Sequence, residues 1–229
     1  AIQESCDVFF YELAIKVGIN KIEKVAKDFG LGQIYPVKIK NQKKGIIPSK
    51  QWKKKNLNEN WYGGETLIAA IGQGYVLTTP LQLAVMTSRI ASSGKKILPS
   101  ILKNNDYETF ELMSNYTKEI KIIQKAMFKV VNENKGTANK SKSDDFQFSG
   151  KTGTSQVKKI TLQERESENF RNTEIEWKNR DHALFVGYMP SNNPKYSISV
   201  VIEHGGSGAS TAAPIAKNIF KYIYDKKII

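Results

Sequence analysis

The sequence predicts an α/β fold of the α+β type, an antiparallel sheet flanked by helices. Three observations carry this. Phe146-Gln147-Phe148-Ser149 alternates apolar and polar residues into Lys151-Thr152-Gly153-Thr154-Ser155, the period of a strand with one buried face. Two more strand signals, 183–189 and 196–202, are joined by the turn Pro190-Ser191-Asn192-Asn193-Pro194. A helix over 211–224 follows the glycine-rich run 205–208, so a strand, a hairpin and a closing helix come in the order of an antiparallel sheet with helices laid on it.

The elements before them are mostly helical. Val8, Phe9, Leu13 and Val17 recur at helical spacing, with Ser5 or Asp7 suited to cap that helix. A second helix over 20–29 stops at Gly30-Leu31-Gly32. Residues 35–62 lack periodicity and are rich in Lys, Asn, Pro and Trp, which predicts a long surface excursion. Gly63-Gly64-Glu65 opens a short helix to residue 70, and Thr79 caps a stronger one that begins at Pro80 and runs to about residue 92. Residues 97–115 read as short extended pieces around a polar turn. Thr117 begins a helix of about sixteen residues, apolar at Ile120, Ile123, Met127 and Val131, that stops near Gly136. A Ser/Lys/Asp linker covers 139–145, and the charged stretch 158–181 is expected to be a mobile loop or lid. No internal repeat is visible.

A chain of 229 residues with 40% hydrophobic and 25% charged residues has the composition of an ordinary globular protein. No run approaches the roughly 20 apolar residues that span a bilayer. The start, Ala1-Ile2-Gln3-Glu4, has neither an initiator Met nor a signal-peptide pattern, so the chain reads as an excised piece. The net charge of +13 attracts polyanions, but nearly all of it is lysine, the arginines being Arg89, Arg165, Arg171 and Arg180. Phosphate and base recognition favours the guanidinium fork, which argues against nucleic acid as a partner. The local lysine excess over 38–55 fits a solvated surface, or attraction to an anionic membrane or wall polymer. The lone Cys6 has no disulfide partner and no metal-ligand spacing, and no cofactor is expected.

Lys151-Thr152-Gly153-Thr154 sets an ammonium, two hydroxyls and a permissive glycine on one extended segment, which can hold a carboxylate. Gly150 and Gly153 leave room for a ligand to approach the backbone. Lys-Thr-Gly is one of three short motifs of the penicillin-interacting serine enzymes, alongside Ser-x-x-Lys and Ser-x-Asn. By itself it also fits a strand end with a solvated lysine. A partner motif belongs upstream at the head of a helix, where Ser5-Cys6-Asp7 stands. Asp7 replaces the usual Asn and, when ionised, offers only acceptors. Ser5 or Asp7 as a plain helix cap is the competing reading.

Three further segments match one family in order: Phe9-Phe10-Tyr11-Glu12-Leu13-Ala14, the stretch Ile71-Gly72-Gln73-Gly74 continuing through Thr79-Pro80-Leu81-Gln82-Leu83-Ala84, and Asp181-His182-Ala183-Leu184-Phe185-Val186-Gly187-Tyr188. Over essentially its whole length the chain resembles the C-terminal part of a class B penicillin-binding protein, nearest the elongation-type peptidoglycan D,D-transpeptidases. In that subfamily an Asp at the third place of the second motif is familiar. The resemblance implies a penicillin-binding, serine β-lactamase-like fold that is incomplete at the N-terminus. Residues 1–229 would then be the C-terminal portion of the domain, without pedestal, anchor or nucleophile motif.

The resemblance also assigns roles. Lys151, Thr152, Gly153 and Thr154 would hold the terminal carboxylate of a D-Ala-D-Ala stem peptide or of a β-lactam, and the Thr154 backbone N–H would be an oxyanion donor. Ser5 would relay a proton and Asp7 would bond the substrate amide. The family's attacking serine precedes the second motif. The Ser-x-x-Lys matches at Ser92/Lys95, Ser93/Lys96, Ser100/Lys103 and Ser155/Lys158 all follow it and read as decoys. Implied partners are peptidoglycan stem peptides, β-lactams, a membrane glycosyltransferase and elongation-complex proteins. The implied location is the periplasmic side of the inner membrane. A noncatalytic penicillin-binding or wall-sensing module is the alternative. His182 and His204 read as structural, Gly205 to Ser210 as a strand-to-helix turn, and Trp52, Trp61 and Trp177 as packing residues or contacts to glycan or a partner.

Overall fold

The computed structural model describes residues 1–102, 109–157 and 175–228. The chain divides into two compact units, Ala1–Ala126 and Met127–Ile229.

The first unit is helical. α1 (Asp7–Val17) and α2 (Ile19–Asp28) meet at Gly18, whose φ of 79° lies in the left-handed region that favours glycine. Both pack against α4 (Gly63–Ala70). α1 has the helical spacing read from sequence, yet only Ala14 is buried on it, and Val8, Phe9 and Ile15 are exposed. Its cap differs from expectation. The N-cap is Cys6, with no side-chain cap bond; Ser5 lies before it in the left-handed region (φ 53°), and Asp7 is the first helical residue, where its charge complements the helix dipole.

The surface excursion expected over 35–62 contains a helix, α3 (Lys50–Leu57). Ser49 Oγ accepts from the Trp52 N–H at 3.1 Å, and Asn58 closes the other end in the left-handed conformation. The pattern hid it because the buried side chain is a lysine. Lys53 is 2% exposed and donates to Glu65 at 2.5 Å, with Glu59 at 3.2 Å and the Tyr62 ring 4.8 Å from its ammonium. Tyr35 and Val37, on the same stretch, are buried with Val85 of α5 (Pro80–Ala91). α5 starts as predicted, with Thr79 Oγ1 accepting from Gln82 N at 3.2 Å and Pro80 in the first turn. Gln82, fully buried, accepts from Gly32 N at 3.2 Å and donates to Gln33 O at 2.7 Å, fixing the 30–45 segment to α5. In the region read as short extended pieces, Lys95 bridges Leu112, and residues 103–108 lie outside the described residues.

α6 (Thr117–Asn132) has the predicted start and length, 16 residues, and Ile120, Val130 and Val131 are fully buried on it. In the second unit β1 (Ser149–Ser155), β2 (His182–Met189) and β3 (Tyr196–Ile202) form an antiparallel sheet in the order β1-β2-β3. Lys151 sits opposite Val186, and Gly187 opposite Ile198. α7 (Ala213–Asp225) closes the unit and continues directly from a π-helical turn over Gly208–Ala212, so the helix expected over 211–224 is helical throughout and α-helical from Ala213. Phe148, Phe185 and Phe220 are buried together, ring centroids 5.4 Å apart for Phe148 and Phe220 and 6.2 Å for Phe148 and Phe185. Most of the proposed lid, 158–174, lies outside the described residues; its end is a 3-10 turn over Trp177–Asn179.

Candidate functional site

β1 stands at the end of the strand order, with no further strand beside it among the described residues. Its first residues, Ser149 and Gly150, are buried; Lys151, Thr152 and Gly153 are half-buried and Thr154 is exposed. The strand therefore climbs from core to surface across the motif. Lys151 Nζ donates to the Thr152 carbonyl at 2.7 Å and stands 3.4 Å from the Thr152 hydroxyl. Ammonium and hydroxyl thus converge on one small region, as a carboxylate ligand requires.

The two glycines differ. A Cβ at Gly150 would strike the Phe185 ring and the Val186 carbonyl oxygen, so the space beside it belongs to the protein's own core and not to a ligand. That corrects the reading of Gly150 as an access point. At Gly153 a Cβ would meet only Leu184 Cβ, at 3.3 Å. Gly208, opening the π-helical turn, approaches the Gly153 and Leu184 carbonyl oxygens too closely for any Cβ, so this turn lies directly against the motif.

A residue that sequence reasoning missed completes the arrangement. Thr137 Oγ1 lies 2.8 Å from Thr152 Oγ1. Thr137 is placed by the stop of α6: Ala138 N donates to Val130 O at 3.0 Å, and a Cβ at Gly136 would collide with the Lys129 and Val130 carbonyl oxygens. The Gly136 stop was visible in the sequence. Nothing in the spacing showed that the next side chain meets one fifteen positions later.

Lys151, Thr152, Gly153 and Thr154 are thus brought together on one strand of the second unit, with Thr137 beside them. Ser5, half-buried, and Asp7, exposed, lie at the head of α1 in the first unit. Of the Ser-x-x-Lys serines, Ser92 caps the C-terminus of α5, Ser93 follows in the left-handed region, Ser100 is exposed in an irregular stretch and Ser155 ends β1. Lys103 and Lys158 lie outside the described residues. His182 Nδ1 accepts from the His204 backbone N–H at 2.9 Å, which puts its proton on Nε2, and the Trp177 ring packs against His204 at a 57° tilt with centroids 4.5 Å apart. Among the described residues no group of three or more His, Cys, Asp or Glu could hold a metal ion, and no helix is long and apolar enough to cross a membrane.

An antiparallel sheet closed by a C-terminal helix, with Lys-Thr-Gly-Thr on its terminal strand, defines a penicillin-binding, serine β-lactamase-like domain. The chain belongs to the penicillin-binding protein transpeptidase domain family, whose model matches residues 1–221. The peptidoglycan D,D-transpeptidase MrdA of Haemophilus influenzae is 33% identical over 239 residues, covering 100% of this chain and 36% of that protein. The penicillin-binding protein PBP2 of Helicobacter pylori, solved in complex with MreC, superposes with a TM-score of 0.87 at 32% identity over 100% of this chain and 40% of that one. PBP2 of Pseudomonas aeruginosa in complex with WCK 5153 gives 0.80 at 34% identity, covering 97% and 48%. The chain spans about a third of the length of the curated relative.

Proposed function

We propose that this chain is the C-terminal portion of a transpeptidase domain that crosslinks peptidoglycan by acyl transfer from D-Ala-D-Ala stem peptides and binds β-lactams. The observation that carries the reading is the convergence of Lys151, Thr152 and Thr137 on one end of β1. In this reading the Lys151 ammonium and the Thr152 and Thr154 side chains hold the substrate's terminal carboxylate. That fixes the scissile carbonyl relative to the sheet, where the Thr154 backbone N–H stabilises the charge developing on its oxygen. Ser5 relays a proton to the leaving amine and Asp7 accepts from a substrate N–H. None of these residues is the nucleophile in this reading: acylation falls to a serine of the domain outside these motifs, releasing D-alanine, and an amine of a neighbouring stem peptide resolves the ester. The domain would act on the periplasmic side of the inner membrane beside a glycosyltransferase and elongation proteins; the Helicobacter relative solved with MreC supports the elongation partner.

Fluorescent penicillin labelling of the full-length gene product tests this. Covalent labelling is expected, slowed about ten- to a hundredfold by Lys151→Ala, the loss of one charge-assisted hydrogen bond to the carboxylate, with the thermal transition little changed. A full-length product that folds and takes no label would instead leave the noncatalytic wall-sensing module.

A further inference from the structure

Residues 29–58 carry eight lysines and neither Asp nor Glu, which is most of the chain's net +13. The structure sorts them sharply. Lys53 is buried and neutralised by Glu65 and Glu59. The other seven, from Lys38 to Lys55, are exposed, and none has a carboxylate within 4.0 Å among the described residues. Lysines elsewhere do find such partners, as in Lys24–Asp28, Lys27–Glu23, Lys96–Glu111 and Lys221–Asp225. Like charges close in sequence and without a counter-charge among the described residues repel, and a bound polyanion relieves that repulsion.

The character of the surface narrows the polyanion. Lysine is a mobile point charge without the planar fork that reads a fixed phosphate, so it suits carboxylates spread along a chain. An element lying in a lipid interface presents an apolar stripe. The outward positions of α3 are instead Lys50, Gln51, Lys54, Lys55 and Asn56, with Leu57 at its end the one exposed apolar side chain, which makes no stripe. After α3 come the exposed Asn58 and Asn60, on either side of Glu59, which is turned to Lys53, and then Tyr62, 64% exposed. Amides and an exposed ring suit a partner rich in sugar hydroxyls and acetamido groups. At Gly63 and Gly64 a Cβ would meet nothing within 4 Å, so a polymer strand can run close to the backbone there.

We propose that the lysine-rich segment and the adjoining 56–62 loop form a docking surface for peptidoglycan, a glycan whose stem peptides carry free carboxylates. It uses none of the residues of the Lys151 strand. The inference rests on the reading that peptidoglycan is the substrate, and it adds a second, noncatalytic point of attachment.

The test uses the full-length gene product, labelled to saturation with fluorescent penicillin so that the catalytic site is blocked. The protein is then sedimented with purified insoluble peptidoglycan from about 0.05 to about 1 M salt, where the screening length falls to about 3 Å. Retention at low salt and release at high salt are expected. Changing Lys38, Lys40, Lys43 and Lys44 together to Gln weakens retention about tenfold or more. The same change at Lys21, Lys118, Lys121 and Lys125, exposed elsewhere, leaves it as in the wild type. Equal loss in both variants, no loss in the first, or equal retention on anionic vesicles or DNA would overturn the proposal. Labelling reports separately on the enzyme reading: a labelled protein that is not retained removes the docking surface alone, and patch-dependent retention without labelling removes the transpeptidase reading alone.

Discussion

The hydroxyls of Thr137 and Thr152 lie 2.8 Å apart, joining the turn after α6 to the strand that bears the Lys-Thr-Gly-Thr motif. Because Lys151 also donates to the Thr152 carbonyl, Thr152 is held from two sides. Thr137→Val removes one support at similar volume and leaves the half-buried Thr152 hydroxyl only its longer contact with Lys151 Nζ, a cost of about 1 kcal/mol. Penicillin labelling of the full-length product should slow, and Thr137→Ser should restore most of the rate. Equal rates in all three proteins would show that this hydrogen bond does not position the motif.

Gly150 is required by packing. Gly150→Ala pushes a methyl into the Phe185 ring, at an expected cost of about 1–3 kcal/mol. Phe185→Leu vacates some of that space, so the double variant should be more stable than the sum of the single losses. Thermal unfolding of the four proteins measures the coupling, and strict additivity would refute the contact.

Burial raises the Glu65 carboxyl, but the hydrogen bonds from Lys53 and from the Tyr62 N–H outweigh it and hold it below its ordinary 4.5. The unfolded chain therefore takes up the proton first. The stability this group contributes is complete above pH 4.5 and is lost as the pH falls through the lower folded value. Glu65→Gln should be less stable near neutrality, with Lys53 left short of its partner, and should show a shallower acid limb. Chemical denaturation at several pH values checks both; parallel limbs would contradict the pairing.

Thr79→Ala removes the side-chain acceptor for Gln82 N at the start of α5. The expected loss is about 1 kcal/mol, read as a lowered denaturant midpoint with an unchanged slope. Thr79→Ser should recover nearly all of it.

Elements ruled by local chemistry were legible in the sequence. The Thr79-Pro80 start of α5, the length of α6 and the strands around the 190–194 turn depend on caps, apolar period and turn residues, all of which lie within a few positions of one another. α3 was not legible, because a lysine is polar in any pattern and only its pairing with Glu65, twelve positions away, makes it a core residue. The capping role offered to Ser5 and Asp7 fell to Cys6 because the backbone turns into the left-handed region at Ser5, a conformation the side-chain types do not announce.

The sequence by itself determined the family, since ordered short motifs survive as strings of residues whatever surrounds them. It also determined the helices and strands whose signals are local. Tertiary structure alone decided that Gly150 serves Phe185, that Thr137 supports Thr152, and that one lysine of eight over 29–58 is buried while seven face solvent with no carboxylate partner among the described residues. Each depends on contacts between residues far apart in the chain, and pairwise distance is what a linear pattern does not encode.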